Sequence, residues 1–219
     1  MAICMSGDID YDLTISMLET YFSKLPKRDV PTKTFVAEKP ITSPLQETVL
    51  GPNAESVSLT YRLDVSVPND PTFRSKLKLI QMLLTNGQAG LIDLNINQAQ
   101  KAQGAYAYNL SFKDYSLLML GGKPIEGQSL EAVQELLLKQ MNNLITGNFK
   151  DWLIPAVVND YKMNEMVQFE SNKVRADAFV DAFVWNISWK DYLNEINTLE
   201  TMTKQDVQAF CSMYFKNNF

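Results

Sequence analysis

The sequence predicts an α+β fold in which an antiparallel sheet packs against helices. Residues 55–65 alternate apolar and polar side chains, as a half-buried strand does. Residues 105–112 and 115–122 are two further strand-like runs, and apolar side chains recur at helical spacing in most later segments. Because the strands come in pairs rather than alternating singly with helices, a doubly wound parallel sheet is disfavoured.

The strand at residues 55–65 has one apolar face, formed by Val57, Leu59, Tyr61, Leu63 and Val65. Residues 45–52 (LQETVLGP) and residues 3–5 predict two more strands, the latter short and buried. Residues 113–115 separate the runs 105–112 and 115–122 and predict a hairpin.

Residues 69–87 (NDPTFRSKLKLIQMLLTNG) predict a helix with a clear start and stop. Asn69 or Asp70 can cap it, Pro71 suits its first turn, and Gly87 ends it. The following run, residues 89–101, predicts a shorter helix or an irregular segment.

The C-terminal half is predicted to be helical apart from its turns. A long helix starts at residue 128 or 129 and stops at Gly147, and Pro155 kinks the next helix or marks its first turn. Thr203 and Asp206 form a near capping box for the last helix. Its buried face is predicted to comprise Val207, Phe210, Cys211, Tyr214 and Phe215.

Three aspartates, Asp8, Asp10 and Asp12, lie in the first twelve residues, MAICMSGDIDYD. A calcium loop would need glycine at its sixth position, which is Leu13 here, and the next residues have helical periodicity. Asp8 or Asp10 is therefore predicted to cap a helix, where a carboxylate accepts free backbone N–H bonds.

Composition excludes several classes of function. The 219 residues carry a net charge of −5, which argues against a nucleic-acid partner. No apolar run reaches the roughly 20 residues that span a bilayer, and no signal peptide is visible.

The chain has no histidine, so the commonest general base and the commonest zinc ligand are both lacking. Serine and cysteine catalysis that depends on histidine is excluded with them. Cys4 and Cys211 are predicted to be small buried hydrophobic residues, with a disulfide between them as the alternative.

Other candidate sites have simpler structural interpretations. Gly87 and Gly90 follow a helix and lack phosphate-loop spacing, and residues 120–124 (LGGKP) fit a strand end. Asp177 and Asp181 are predicted to face water near Lys173 and Arg175, with Glu165 and Glu170 similarly placed. One aromatic set could line a pocket but is more typical of a core: Trp152, Trp185, Trp189, Tyr161 and Tyr192.

The opening 26 residues, MAICMSGDIDYDLTISMLETYFSKLP, resemble the end of the catalytic-type domain of the pitrilysin/insulinase (M16) zinc peptidases. In that family a strand runs into a Gly-Asp turn and a helix that ends in Tyr-Phe and Leu-Pro, as Gly7, Asp8, Tyr21, Phe22 and residues 25–26 do here.

The remainder resembles the next domain of that family, with GPNAESVSLTYRL as its first strand and YFKNN leading toward a last strand. The resemblance implies an M16 or mitochondrial-processing-peptidase-like α+β fold and is nearest to the first half of bacterial two-half members. It divides the chain into residues 1–26 (end of the preceding domain), 27–44 (a Pro-rich linker) and 45–219 (a second, non-catalytic domain).

The zinc motif of the family, His-x-x-Glu-His, would lie upstream of this chain, so zinc is expected in a catalytic domain elsewhere in the parent and no cofactor here. In second halves of the family an arginine and a tyrosine hold substrate. Tyr106 or Tyr108 matches that tyrosine, whereas Asn95 stands near the place of the arginine. These three are the candidate substrate-binding residues, and no catalytic residue is predicted.

The resemblance implies a fragment of a zinc endopeptidase that forms the wall of a substrate chamber, supports peptide binding and is inactive alone. The alternative is a domain of an inactive scaffold or assembly subunit, and a His-x-x-Glu-His motif upstream would separate the two. Expected partners are other domains of the same polypeptide and peptide substrates, with a homodimer through exposed strand edges as a further option. The sequence leaves the compartment open.

Overall fold

The computed structural model describes residues 2–31, 34, 36, 38–52, 54–65, 71–112 and 114–219. Their elements, in chain order, are α1 (Tyr11–Phe22), β1 (Val57–Leu63), α2 (Pro71–Leu84), a π-helix (Asp93–Asn97), β2 (Gly104–Ser111), β3 (Ser116–Lys123), α3 (Leu130–Ile145), α4 (Leu153–Gln168), α5 (Asn172–Val184), α6 (Trp189–Leu193), α7 (Glu195–Glu200) and α8 (Lys204–Tyr214). Among these residues, no helix is both long enough and apolar enough to cross a bilayer.

The three strands form an antiparallel sheet in the order β1-β3-β2. Strands β2 and β3 are consecutive and form the predicted hairpin, with Ser111 opposite Ser116. Lys113, in the turn, lies outside the described residues. The antiparallel sheet with its helices confirms the predicted α+β class.

One face of the sheet packs on the helices, as the alternation in β1 predicts. Leu59, Tyr61 and Leu63 are buried, whereas Ser58 is exposed and Thr60 is half-buried. Helices α2 and α3 pack against the sheet, and α8 packs on both helices. The fully buried side chains of this core include Leu77, Ile80, Leu118, Leu120, Leu137 and Leu144.

The predicted helix ends agree with the structure where it describes them. Helix α2 starts at Pro71, whereas the proposed caps Asn69 and Asp70 lie outside the described residues. Gly147 follows α3 with φ +68°, in the left-handed region that favours glycine. Pro155 is the third residue of α4, so it marks the first turn rather than a kink.

The capping predictions for α1 and α8 are confirmed. Asp10 accepts the Leu13 N–H at 2.8 Å and caps α1. Thr203 and Asp206 form a complete capping box at the start of α8. The predicted buried face of α8 is also present, with Tyr214 half-buried and the other four residues buried.

Two predicted strands are wrong. Residues 3–5 and 45–52 are not in strands, and their apolar side chains are largely exposed, with Ile3 at 44% and Leu50 at 95%. A strand needs a neighbouring chain to satisfy its backbone, and neither segment pairs with a described strand. Cys4 is therefore only partly buried, whereas Cys211 is buried as predicted, and both thiols are free.

Candidate functional site

Tyr106 and Tyr108 lie on the face of the sheet that the helices leave open. Because successive strand residues point to opposite faces, Ala105 and Ala107 enter the core while the two tyrosines remain 46% and 39% exposed. Their rings stack with centroids 5.9 Å apart and an interplanar angle of 23°. The open face therefore presents an aromatic surface along β2.

Gly121 allows the Tyr106 ring to lie against the sheet. It stands opposite Tyr106 on β3, and a Cβ at this position would be 2.4 Å from the Tyr106 Cζ. Sequence reasoning treated the Gly121–Gly122 pair only as a strand end. An aromatic residue opposite a glycine in the predicted hairpin was the signal that could have identified it.

Asn95 lies on the π-helix and is half-buried. Its side-chain N–H donates to the side-chain oxygen (Oε1) of Gln140, on α3, at 2.8 Å. In the described part of the chain, no hydrogen bond joins Asn95 to either tyrosine, and its role in substrate binding stays a prediction.

Asn97, two residues later, occupies the outer edge of β2. Its side-chain N–H donates to the Ala105 carbonyl and its side-chain oxygen accepts the Ala105 N–H, both at 2.8 Å. Gln81 of α2 donates to the Ala107 carbonyl at 3.1 Å on the same edge. At this edge of β2, the side chains of Asn97 and Gln81 therefore already hydrogen-bond backbone groups with which an added strand would pair.

The contacts of Asn97 also fix which backbone groups of β1 face outward. In an antiparallel ladder each residue directs its N–H and C=O to the same neighbour, and successive residues alternate. Since Ala105 faces away from β3, the hydrogen bonds between β2 and β3 are made by Tyr106 and every second residue from it. The register then shows that Val57, Leu59 and every second residue after them make the hydrogen bonds between β1 and β3. The N–H and C=O groups of Ser58, Thr60 and Arg62 therefore point away from the sheet.

None of the described residues forms a hydrogen bond with these outward backbone groups, so this edge of β1 is called the free edge. It borders a groove of about 250 Å³ that residues 44–49 also line, and the Leu45 N–H donates to the Phe219 carbonyl at 3.0 Å. Glu47 and Glu131 are the only charged residues among the described residues that line the groove. The groove therefore combines unpaired backbone groups with negative charge, which suits an extended basic segment.

The described residues do not fit a zinc site. Within the ranges the structure describes, no group of three or more cysteine, aspartate or glutamate side chains could hold a metal ion, and the sequence has no histidine.

The five aromatic candidates differ in burial and do not all lie at one place. Trp152 is 51% exposed, so its assignment to the core is wrong, and Trp185 and Trp189 are only half-buried. Tyr161 and Tyr192 line a common cavity that no tryptophan lines. The five residues therefore do not line one pocket, although Trp189 stacks on Tyr192 with ring centroids 5.1 Å apart.

The carboxylate candidates on α5 lie at the surface as predicted. Asp177 pairs with Lys173 one turn earlier, and Asp181 is exposed. Arg175 instead binds the N-terminal segment, donating to the Ser6 hydroxyl at 3.0 Å. Glu165 departs from the prediction because it is half-buried and lines the cavity of Tyr161.

The fold and site define a class of α+β domain: a helix-backed antiparallel sheet with one open face and one free edge, and without a metal centre among its described residues. The family described as the peptidase M16 inactive domain matches residues 1–161, which is more than half of the chain. The chain therefore belongs to this family. Among curated proteins, none matches its sequence.

Solved structures share the fold at low sequence identity. A protease from Helicobacter pylori is 17% identical, with a TM-score of 0.83, over 97% of this chain and 51% of that chain. The first half of the periplasmic protease PqqL from Escherichia coli is 13% identical, with a TM-score of 0.67, over 97% of this chain and 48% of that one. This chain thus spans about half the length of those two.

The inactive peptidase domain of a Bordetella parapertussis protein is 14% identical, with a TM-score of 0.62. The alignment covers 78% of this chain and 93% of that domain. Two of these neighbours are proteases by description and one is an inactive domain, so the fold is common to both kinds of protein.

Proposed function

We propose that this chain is the second, non-catalytic domain in the first half of a zinc-dependent endopeptidase. It forms part of the wall of the peptide chamber and is inactive alone, because the zinc ligands belong to another domain of the parent. Membership of the M16 inactive-domain family supports this role.

The proposed domain division is residues 1–26, 27–44 and 45–219. In support, helix α1 has no buried residue, whereas the buried core lies between Leu59 and Phe215. The apolar side chains of α1 would pack within the preceding domain, and residues 45–219 would fold around their own core.

Peptide binding is proposed at the sheet, and the observation that carries it is the free edge of β1. An extended peptide can add to a sheet edge through main-chain hydrogen bonds. On β2, Asn97 and Gln81 already hydrogen-bond the outward backbone groups, so β1 is the edge to which a peptide would add. Tyr106 and Tyr108 are on β2, at the opposite edge of the sheet, so they would contact a part of the peptide that continues from β1 across the open face. Asn95 would contribute by exchanging Gln140 for substrate.

The test uses two variants at Thr60 and an octapeptide of alternating valine and lysine. Thr60→Pro removes an outward N–H and leaves the bonds between β1 and β3, as proline can at an edge strand, while Thr60→Val keeps the N–H. The peptide should shift the amide resonances of Ser58, Thr60 and Arg62. Thr60→Pro should weaken binding about tenfold, through loss of a hydrogen bond and of the room for a partner strand.

Thr60→Val should bind as the unchanged chain does, and a valine–glutamate peptide should bind more weakly because of Glu47 and Glu131. The peptide should stay intact by mass spectrometry. Equal binding by the proline variant, or cleavage of the peptide, would contradict the proposal. If the same resonances shift when the chain alone is concentrated, a second copy fills the edge and the chain forms a homodimer.

A further inference from the structure

A second cavity, of about 200 Å³, lies among the helices. Its lining comes from the C-terminal part of α4 and from α6 and α7, and includes no residue of the sheet. The residues that matter most are Tyr161, Glu165, Phe169, Tyr192, Leu193 and Glu195. This cavity is separate from the groove and plays no part in the proposed peptide binding.

Most of the wall is apolar or aromatic. Tyr161, Phe169 and Tyr192 supply three rings, and Leu193 adds an aliphatic side chain. Burial raises the pKa of the Tyr161 phenol, so this group stays neutral. Such a wall suits the apolar body of a small ligand, and aromatic faces attract cations.

The buried polar group of the cavity is Glu195, which is only 7% exposed. Its Oε2 accepts a hydrogen bond from Arg74 Nη2 at 3.2 Å, while its Oε1 is buried and has no hydrogen-bond partner among the described residues. Buried carboxylate oxygens are usually hydrogen-bonded to protein or to ordered water, so Glu195 has the capacity to accept one more donor.

The two nearby cations are already engaged. Lys78 donates to the Tyr161 hydroxyl at 2.6 Å, and Arg74 lies 5.5 Å from the Tyr192 ring centroid while it binds Glu195. Neither lines the cavity, whereas Glu165 does, and no ion pair involves Glu165 among the described residues. The cavity wall thus has two carboxylates and no cation of its own.

We propose that this cavity binds a small organic ammonium ion. The ammonium group donates to the carboxylates of Glu165 and Glu195, and the apolar body packs against the rings of Tyr161, Phe169 and Tyr192. A neutral ligand of the same shape would leave the Glu195 oxygen without a strong donor, so charge is what the site selects.

Phenethylammonium chloride and 2-phenylethanol form the matched pair of probes, since they share the apolar body and differ in charge. Titrations of the full chain followed by amide resonances should show saturable shifts at cavity residues. The ammonium probe should bind about tenfold more tightly than the alcohol, as charge-assisted hydrogen bonds predict. Equal affinities, or no saturable shift, would overturn the proposal.

Glu165→Gln and Glu195→Gln should each weaken binding of the ammonium probe about fivefold or more and leave the affinity for the alcohol unchanged. Glu200→Gln is the control, because Glu200 is also on α7 but pairs with Lys162 outside the cavity. Glu195→Gln could unfold the chain by leaving Arg74 unpaired. In that case the affinities of the two probes for the unchanged chain and for Glu165→Gln still test the proposal. Unchanged ammonium binding by Glu165→Gln would refute the assignment.

Discussion

Helices α1 and α8 have the same local design but different surroundings. Both begin with a side-chain cap, Asp10 in α1 and Thr203 in α8. Both carry an apolar stripe. None of the twelve residues of α1 is buried, whereas α8 buries Val207, Phe210 and Cys211.

The difference shows that a cap and a periodic stripe specify a helix but not its place in a fold. Capping uses groups within one turn, so the sequence alone can satisfy it. Burial needs partner surfaces, which α8 finds on α2 and α3. Helix α1 makes no such packing within the described chain, and Ser6, bound to Arg175, is the nearest anchor before it.

The largest expected effect contrasts two phenylalanines. Phe210→Ala should lower the free energy of unfolding by about 3–5 kcal/mol, because it leaves a cavity beside Phe73, whose ring centroid is 5.4 Å away. Phe22→Ala, on α1, should change it by less than about 0.5 kcal/mol, since that side chain is 42% exposed. Urea titrations measure both. A loss at Phe22 equal to that at Phe210 would show that α1 belongs to the cooperative core.

The second prediction concerns alkaline pH and Tyr61. The ring of Tyr61 packs edge-on against that of Phe215, the residue after α8, with ring centroids 5.2 Å apart. Burial raises the pKa of the Tyr61 phenol above its ordinary value of 10.0. Above that pH the unfolded chain loses the proton and the folded chain keeps it, so the free energy of unfolding falls as pH rises.

Tyr61→Phe should therefore reduce this fall by about 1.4 kcal/mol per pH unit above pH 10. The measurement is the free energy of unfolding at several alkaline pH values for both chains. Burial also raises the pKa of the Cys211 thiol, but that contribution is the same in both and cancels. Parallel slopes would mean that the Tyr61 proton is lost equally easily in the folded state.

The smallest effect contrasts the two caps. Thr203→Ala should cost about 1 kcal/mol, because it removes the acceptor of the Asp206 N–H from a helix that is part of the core. Asp10→Ala should leave the global free energy of unfolding unchanged and speed amide exchange only within α1. Hydrogen exchange and urea titration together report both, and a global loss from Asp10→Ala would contradict the contrast.

Much of the fold could be predicted because its signals are local. The alternation in β1 identified its buried face, the spacing of two apolar runs identified the β2–β3 hairpin, and Gly147 identified the end of α3. Residues 45–52 were wrongly predicted to form a strand because their composition suits one. Pairing depends on a neighbour, and no described strand pairs with them.

The candidate site was predictable only in part. Tyr106 and Tyr108 could be placed on one strand face from sequence, since both are at even positions of an alternating run. The contact between Asn97 and β2 could not be predicted from sequence. It depends on how the π-helix, which ends at Asn97, lies against that strand. Gly121 was missed because its function depends on a residue across the strand pair.

By itself the sequence determined the helices, the strands β1 to β3 with their inward and outward faces, and the caps at Asp10 and Thr203, because these depend on residues within a few positions of one another. Tertiary structure alone decided which sheet edge is free and which carboxylate is buried. Arg74 and Glu195 are 121 residues apart in sequence, yet they meet beside the cavity. Such pairings arise only when distant elements pack together, so no local pattern records them.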